Sequence, residues 1–365
     1  MNTDLKKYPL IWGRVLGLAV VFPPFGFYLS HKMRKTDPER AGRLLRLVIV
    51  STIVEVMIVG MAWFMFWRVG PKPQTRESTP LSTTGTWGTC NWHVDGDVLV
   101  IEAGTGEDNK GQHGKGSSPW TYLKQKITAA RLEDGVVFPA KCANLFAGLS
   151  HMRTIDMGRV DTSHVLDMTE MFCECESITS LDMSRWSTSQ VTSMARMFSG
   201  CKELEALDTA ALDTSAVTAM GSMFSDCQKL RNVDVSRWDM SKVQDVSYMF
   251  RGCAALESLD MSKWNTSQLK DANNMLDGCL ALRSVDLSGW DASNLSSREV
   301  FGHCPGLESF AVGEGFSFDS EYSVPESTSK EKPGMWFSKA DRVWYGRKKV
   351  RERNGVVDTY TNSEG

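Results

Sequence analysis

The chain has 365 residues, enough for two ordinary domains, and its 42% hydrophobic content is that of a folded protein, not a disordered one. The net charge of −3 is unevenly placed: residues 1–69 hold ten Lys/Arg against four Asp/Glu, and the remainder holds 31 against 40. A basic N-terminal end followed by an acidic remainder argues against nucleic acid as the partner of the large part.

The first apolar stretch, Val15 to Leu29, is short for a membrane span and contains Pro23-Pro24, which breaks a helix. It reads as re-entrant or interfacial, or else as the first arm of a helical hairpin. No small-x-small cleavage site comes after it, so a cleavable signal is not expected. Leu47 to Trp67 is 21 residues with one charge, Glu55. At ~1.5 Å per residue it is long enough to cross a bilayer, and Trp63 and Trp67 fit an interfacial anchor. The loop before it carries Lys32, Arg34, Lys35, Arg40, Arg43 and Arg46, which the positive-inside rule places in the cytoplasm. Residues 1–69 therefore read as a membrane anchor, with everything after Arg68 outside. Glu55 is either a tolerated polar residue or a helix–helix contact.

Residues 70–85 are rich in Pro, Ser and Thr and read as a stalk. Residues 86–142 read as a β cap. Asn91 to Val94 and Val98 to Glu102 flank Asp95-Gly96-Asp97, a hairpin signal. The Gly-rich loop beyond the hairpin is no phosphate loop, because Gly116 stands where Ser or Thr is required. Ile127 to Val137 is expected to supply the first strand of a repeat region, and Cys142 to Leu149 its first helix-like turn.

From 143 to 316 the sequence repeats every 26 residues. One column is Asp156, Asp182, Asp208, Asp234, Asp260 and Asp286. A second is the Met/Leu-Phe pair ending in Phe146, Phe172, Phe198, Phe224 and Phe250, weakening to Leu276 and returning as Phe301. A third is Cys175, Cys201, Cys227, Cys253 and Cys279, then Cys304 after 25 residues. In one unit, Ile178, Leu181 and Met183 alternate with polar residues, as in a half-buried strand. Val191, Met194, Phe198 and Cys201 recur at spacings of three and four, which predicts a short helix. Neither element buries its apolar face alone, so stacked coils must build one core. The expected fold is α/β: a right-handed solenoid with one short parallel strand and one short helix per coil. Residues 317–365 read as a C-terminal cap, with Met335-Trp336-Phe337 and Val343-Trp344-Tyr345 covering the open end. The basic run Arg347 to Arg353 is a solvated cap-helix face or a patch for an anionic partner.

The pattern MFxxCxxLxxLDxSxWxTSxVxxM, as in Met197-Phe198-Ser199-Gly200-Cys201 and Leu259-Asp260-Met261-Ser262-Lys263-Trp264-Asn265-Thr266-Ser267, resembles the BspA-like leucine-rich-repeat surface proteins with mycoplasma-type repeats. The resemblance covers Ala143 to about Phe316, and the block from Trp87 to Trp120 is similar to the region that precedes these repeats. It implies a bacterial surface or secreted, adhesin-like binding protein with no catalytic activity and no cofactor. Leu212 and Val160 depart from the Trp column, and Thr209-Ala210 replaces an apolar-Ser pair, so that coil is expected to be distorted. Separately, Pro24-Phe25-Gly26 through Arg43, before a second apolar helix, is loosely similar to the dispanin (interferon-induced transmembrane) module.

The Asp column is the candidate binding face. Stacked carboxylates repel, so hydrogen bonds, a bound cation or a partner must offset them. Calcium needs six or more oxygens in one place, which the repeat does not supply, and no cysteine pair has zinc spacing. The Trp column (Trp186, Trp238, Trp264, Trp290) is either core or a glycan platform. The cysteine ladder reads as buried thiols. Cys90, Cys142 and Cys173 lie outside it, and a Cys90–Cys142 bridge is the alternative for two of them. The six histidines are scattered, with no HExxH, nucleophile elbow or Cys-His pair, so no catalytic, cofactor or metal residues are assigned. The expected partners are a host, matrix or neighbouring-cell protein or glycan, and the membrane itself. The alternative is a structural or sensory envelope protein whose membrane module oligomerises.

Overall fold

The computed structural model describes Glu39, Ile49 and residues 82–108, 118–296, 299–320 and 323–364. The chain divides into two compact units, 1–80 and 81–365. The stretch 15–29 and the stretch 47–67 apart from Ile49, both expected to meet the membrane, and Glu55 lie outside the described residues, as does most of the dispanin-like segment. Among the described residues no helix is long and apolar enough to cross a membrane.

The second unit begins with a five-stranded sheet in the order β1 (Thr84–Trp87), β2 (Cys90–Asp95), β3 (Val98–Ile101), β5 (Ala129–Leu132), β7 (Thr154–Asp156). The β2–β3 hairpin closes through Gly96, whose φ of +63° suits a two-residue turn between Asp95 and Val98. From β3 onward the pairing is parallel, which marks the change from hairpin cap to stacked coils. Two-residue strands β4 (Gly104–Thr105) and β6 (Val136–Val137) pair in parallel beside it.

The repeat continues as a stack of coils. Its strands β8 (Ala206–Leu207), β9 (Asn232–Val233), β10 (Ser258–Asp260), β11 (Ser284–Leu287) and β12 (Ser309–Val312) face the same way and pair in parallel as β8–β9 and β10–β11–β12. Where no strand forms, backbone bonds still join coils, such as Glu203 N–H to Glu176 C=O at 3.0 Å. This is the arrangement of a repeat solenoid. β13 (Met335–Ser338), β14 (Val343–Gly346) and β15 (Asp358–Thr361) close its end antiparallel, β15 pairing with β12.

The short helix expected in each coil is absent from the described coils. The Met-Phe segments are successive turns instead. The reason lies in where the amides point. Phe172, Phe198, Phe224 and Phe250 donate their N–H groups to Met197, Met223, Met249 and Met275 of the next coil at 2.8–2.9 Å. A helix would use the same amides internally. Turning them along the stack requires left-handed residues, which recur at Glu170, Arg196, Ser222 and Tyr248, with φ of 56–57°. Each such non-glycine residue costs on the order of 1 kcal/mol. The second left-handed position is eased by Gly200, Gly252 and Gly278, with φ of 73–77°.

The stacked aromatics offset that strain. Rings of Phe146, Phe172, Phe198, Phe224 and Phe250 are fully buried, with centroids 5.4–5.7 Å apart and planes within 13° of parallel. Trp120 begins the stack, and Trp186 and Trp238 lie against Phe172 and Phe224. Each buried Phe contributes roughly 1.5–3 kcal/mol, and each stacked pair roughly 0.5–1.5 more. Leu276 ends the stack, and Trp264 on Trp290 takes over.

All nine cysteines are buried and free, Cys90 and Cys142 included. In the ladder each Sγ lies 3.1–3.3 Å from the main-chain oxygen of the preceding coil's aromatic: Cys175 on Phe146, Cys201 on Phe172, Cys227 on Phe198, Cys253 on Phe224, Cys279 on Phe250. A thiol suits the position because it is small, apolar and still a weak donor. Burial pushes all of these thiols up, Cys304 to about 11. Native protein at neutral pH is therefore expected to resist a thiol reagent until unfolded, and then to release nine equivalents. Fewer than nine after unfolding without reductant would reveal a disulfide.

Candidate functional site

The Asp column lies on corners where each coil leaves its strand position, exposed at all but half-buried Asp286. Each Oδ1 accepts the backbone N–H two residues on: Asp156 from Gly158, Asp182 from Ser184, Asp208 from Ala210, Asp234 from Ser236, Asp260 from Ser262 and Asp286 from Ser288, at 2.8–3.1 Å. This is the Asx turn that a short carboxylate makes with its own backbone. Asp208 keeps the same bond to Ala210, and Leu212 is buried where the neighbouring coils place Trp, so that coil holds its register.

Two further carboxylate columns make the same turn. Asp161, Asp213, Asp239 and Asp291 accept from Ser163, Ser215, Ser241 and Ser293, and Asp167, Asp245 and Asp271 accept from Thr169, Ser247 and Asn273. The coil thus has three Asx corners, of which sequence reading singled out one. It also missed a buried threonine column. Thr162, Thr188 and Thr266 each bond both C=O and N–H of the next coil, donating to Ser187, Asp213 and Asp291 and accepting from the same residues. The 26-residue recurrence of these threonines was visible, but recurrence alone does not separate a corner former from a staple between coils.

Electrostatics on the Asp face are balanced by basic neighbours. Hydrogen bonds from the Ser236 and Ser262 hydroxyls, each at 2.7 Å, are the main reason Asp234 and Asp260 sit below the ordinary value of 3.8. The serine N–H groups, then Arg237 and Lys263 beside Asp234 and Lys263 beside Asp260, add to it. At one end a pocket of about 280 Å³ is lined by Asp134, Asp156, Asp182, Arg159, Arg185 and Trp186. Its mixed charge gives no cluster of acidic ligands, and among the described residues no group of three His, Cys, Asp or Glu could hold a metal.

The Trp column is core: Trp186, Trp238, Trp264 and Trp290 are 1–6% exposed. Trp264 donates to Val235 C=O at 3.0 Å, whereas the indole N–H groups of Trp186, Trp238 and Trp290 are buried without a partner among the described residues.

A second surface is the edge formed by the left-handed turns. A groove of about 550 Å³ runs along it, lined among others by Glu174, Arg196, Asp226, Tyr248 and Arg251. Arg196 Nε lies 2.8 Å from the buried carboxylate of Glu170, and its Nη2 is 3.8 Å from Cys173 Sγ. Tyr248 is 37% exposed, with the Arg251 guanidinium 5.9 Å from its ring centre. Arg251 also reaches Asp277 in the next coil at 3.4 Å. Further pairs joining neighbouring coils are Glu176–Lys202, Glu203–Lys229, Arg231–Glu257 and Arg283–Glu308. Being exposed, each contributes little to stability. The scattered histidines are not gathered in this groove: His303 lines a different pocket, and His93 pairs with Glu102 at 3.4 Å.

Such a stack of near-identical coils with two long solvent faces defines the class, a repeat protein. The repeat region matches the family described as "Mycoplasma protein of unknown function, DUF285" over residues 140–255 and 231–309. No curated protein matches the chain. Among solved structures, a leucine-rich repeat protein from Eubacterium ventriosum is similar at 15% identity and a TM-score of 0.25, over 68% of this chain and 92% of that one. A TLR13–ssRNA13 complex is similar at 10% identity and a TM-score of 0.20, over 57% of this chain and 49% of that one. Scores that low mark local likeness and carry no conclusion about overall shape or function.

The pH dependence of stability should report the Asx corners. A folded pKa below the unfolded one stabilises at pH above the unfolded value and is lost as pH falls through the folded value. The midpoint of thermal unfolding should therefore drop as pH is lowered from about 5 to about 2. The double variant Asp234→Asn, Asp260→Asn should show a shallower drop over that window and little change in slope above it.

Proposed function

We propose that this is a membrane-anchored bacterial cell-surface repeat protein that recognises a protein or glycan of a host, matrix or neighbouring cell, in an adhesin-like role without catalysis. The observation that carries the reading is a contrast between columns. Core positions repeat one residue type, as in the Phe and Cys columns, while the left-handed position changes from exposed Arg196 to half-buried Ser222 to exposed Tyr248 to half-buried Asn274 on an unchanged backbone. A fixed lattice with variable outward side chains is how a repeat protein builds an extended recognition surface, with affinity concentrated in a few aromatic and Arg contacts. Tyr248, Arg251 and Arg196 are the residues of that kind in the groove. Leucine-rich-repeat-like character, implied by the sequence resemblance, agrees with this role. The right-handed sense of the coil follows from the handedness rule for parallel crossovers.

Anchoring rests on the sequence of residues 1–69: an apolar run of membrane-spanning length preceded by a basic loop. The Pro/Ser/Thr stretch after it has the composition of a stalk. A second reading, a structural or sensory envelope protein whose membrane module oligomerises, draws its motive from Glu55 alone within that run.

Protease treatment of intact cells, with subsequent detection of the repeats, tests the placement. The repeat signal should vanish while a cytoplasmic marker survives. Protection until lysis would contradict the surface reading and direct the search for a partner to the cytoplasm.

A further inference from the structure

The cap that closes the stack differs from the rest in charge. Residues 70–329 carry 22 Lys/Arg against 35 Asp/Glu, a net −13, whereas residues 330–364 carry nine against five, a net +4. Covering the end of a solenoid requires apolar contact, and Trp336 and Tyr360 supply it on Phe310. It does not require a reversal of charge.

The cap's acidic groups are largely engaged. Arg353 holds both Asp341 and Asp358, Arg347 lies 3.5 Å from Glu326, Lys349 lies 3.3 Å from Glu352, and Glu364 accepts from the Trp344 indole at 2.7 Å. Arg342, Lys348 and Arg351 are exposed and have no ion pair among the described residues. Lys348, Lys349 and Arg351 sit on helix α1 (Arg347–Glu352), which Val350 pins to the core at 2% exposure. The helix that carries these basic side chains is therefore held to the core.

The same stretch exposes aliphatic side chains. Val343 on edge strand β14 is 42% exposed, and Val356 and Val357, just after α1, are 39% and 57% exposed. Gly355, with φ of +79°, makes the turn that leads into the two valines. Eight large apolar side chains are exposed among the described residues, and three of them fall between 343 and 357. A solvated helix face accounts for the charges but not the valines. A polyanion in water likewise gains nothing from them. A lipid surface takes both, with basic groups at anionic headgroups and small aliphatic groups in the layer beneath.

We propose that residues 342–357 form a docking surface for an anionic lipid bilayer, with Arg342, Lys348, Lys349 and Arg351 on the headgroups and Val343, Val356 and Val357 in the interface. Residues 70–329, with their net −13, would be repelled from the same surface. The contact is then made end-on by the cap.

The test uses the full chain held in neutral phosphatidylcholine nanodiscs, so that any N-terminal membrane segment is already housed. Sedimentable vesicles of phosphatidylcholine, with or without phosphatidylglycerol, are then added. The protein should co-sediment with the phosphatidylglycerol vesicles and not with the neutral ones. Lys348→Ala, Lys349→Ala and Arg351→Ala together should weaken co-sedimentation on the order of 100-fold, about fivefold per charge. Val356→Ser with Val357→Ser should weaken it at unchanged charge. All five side chains are exposed, and unaltered circular dichroism would show the variants folded. Three results would overturn the proposal: co-sedimentation equal with both vesicles, none with either, or loss in the charge variant but not in the valine variant. The last, joined to salt-sensitive retention on heparin, would identify a soluble polyanion instead.

Discussion

The structure depends on backbone amides that point along the stack. In most folds the chain between strands satisfies its amides locally, in a helix. Here the N–H groups of Phe172, Phe198, Phe224 and Phe250 bond the next coil, and every other element adjusts to that choice. The left-handed residues exist to aim those amides. The phenylalanine rings stack because the bonds hold successive coils in one register. Thr162, Thr188 and Thr266 staple the corners, and the cysteine thiols reach back to the same aromatic residues' carbonyls. A coil out of register would lose all of these at once, so the 26-residue period is held by many weak bonds acting together.

Much of this was legible in the sequence where one residue type marks one environment. The Phe, Cys and Asp columns announced the period, and the parallel stacking followed from it. The helix did not follow. Val191, Met194, Phe198 and Cys201 have helical spacing because a chain of tight turns also brings every third or fourth side chain inward. The distinguishing signal was the recurrence of Gly200, Gly252 and Gly278, in a column shared with Glu174 and Asp226, where a helix would disfavour glycine and a left-handed turn favours it. At the candidate site the Asp column was visible, but its bond to its own backbone was not. An Asx turn and a binding carboxylate present the same letter at the same spacing. The groove of Tyr248 and Arg251 could not be seen at all, because those residues break the repeat instead of forming it.

Stability and recognition are divided between columns. Interior positions carry the register and tolerate little change. Side chains on the turn edge, whose backbone aims the amides but whose outer atoms stay out of the core, differ from coil to coil. The indole groups of Trp186, Trp238 and Trp290 show the limit of this arrangement: the lattice buries large rings but leaves their N–H groups without partners among the described residues, at a cost the stacking must offset. The cap adds a surface of opposite charge at one end, so the molecule presents two chemically distinct faces.

The most direct test of this account is to delete one whole unit, residues 205–230, and compare it with deletion of half a unit, residues 205–217. If registered bonds between coils hold the fold, removing the whole unit puts Arg231 after Leu204 in the place of its equivalent Glu205, and the shortened protein should still unfold cooperatively with a modestly lower midpoint. Removal of half a unit should abolish cooperative unfolding. Equal damage from both deletions, or equal tolerance of both, would contradict it.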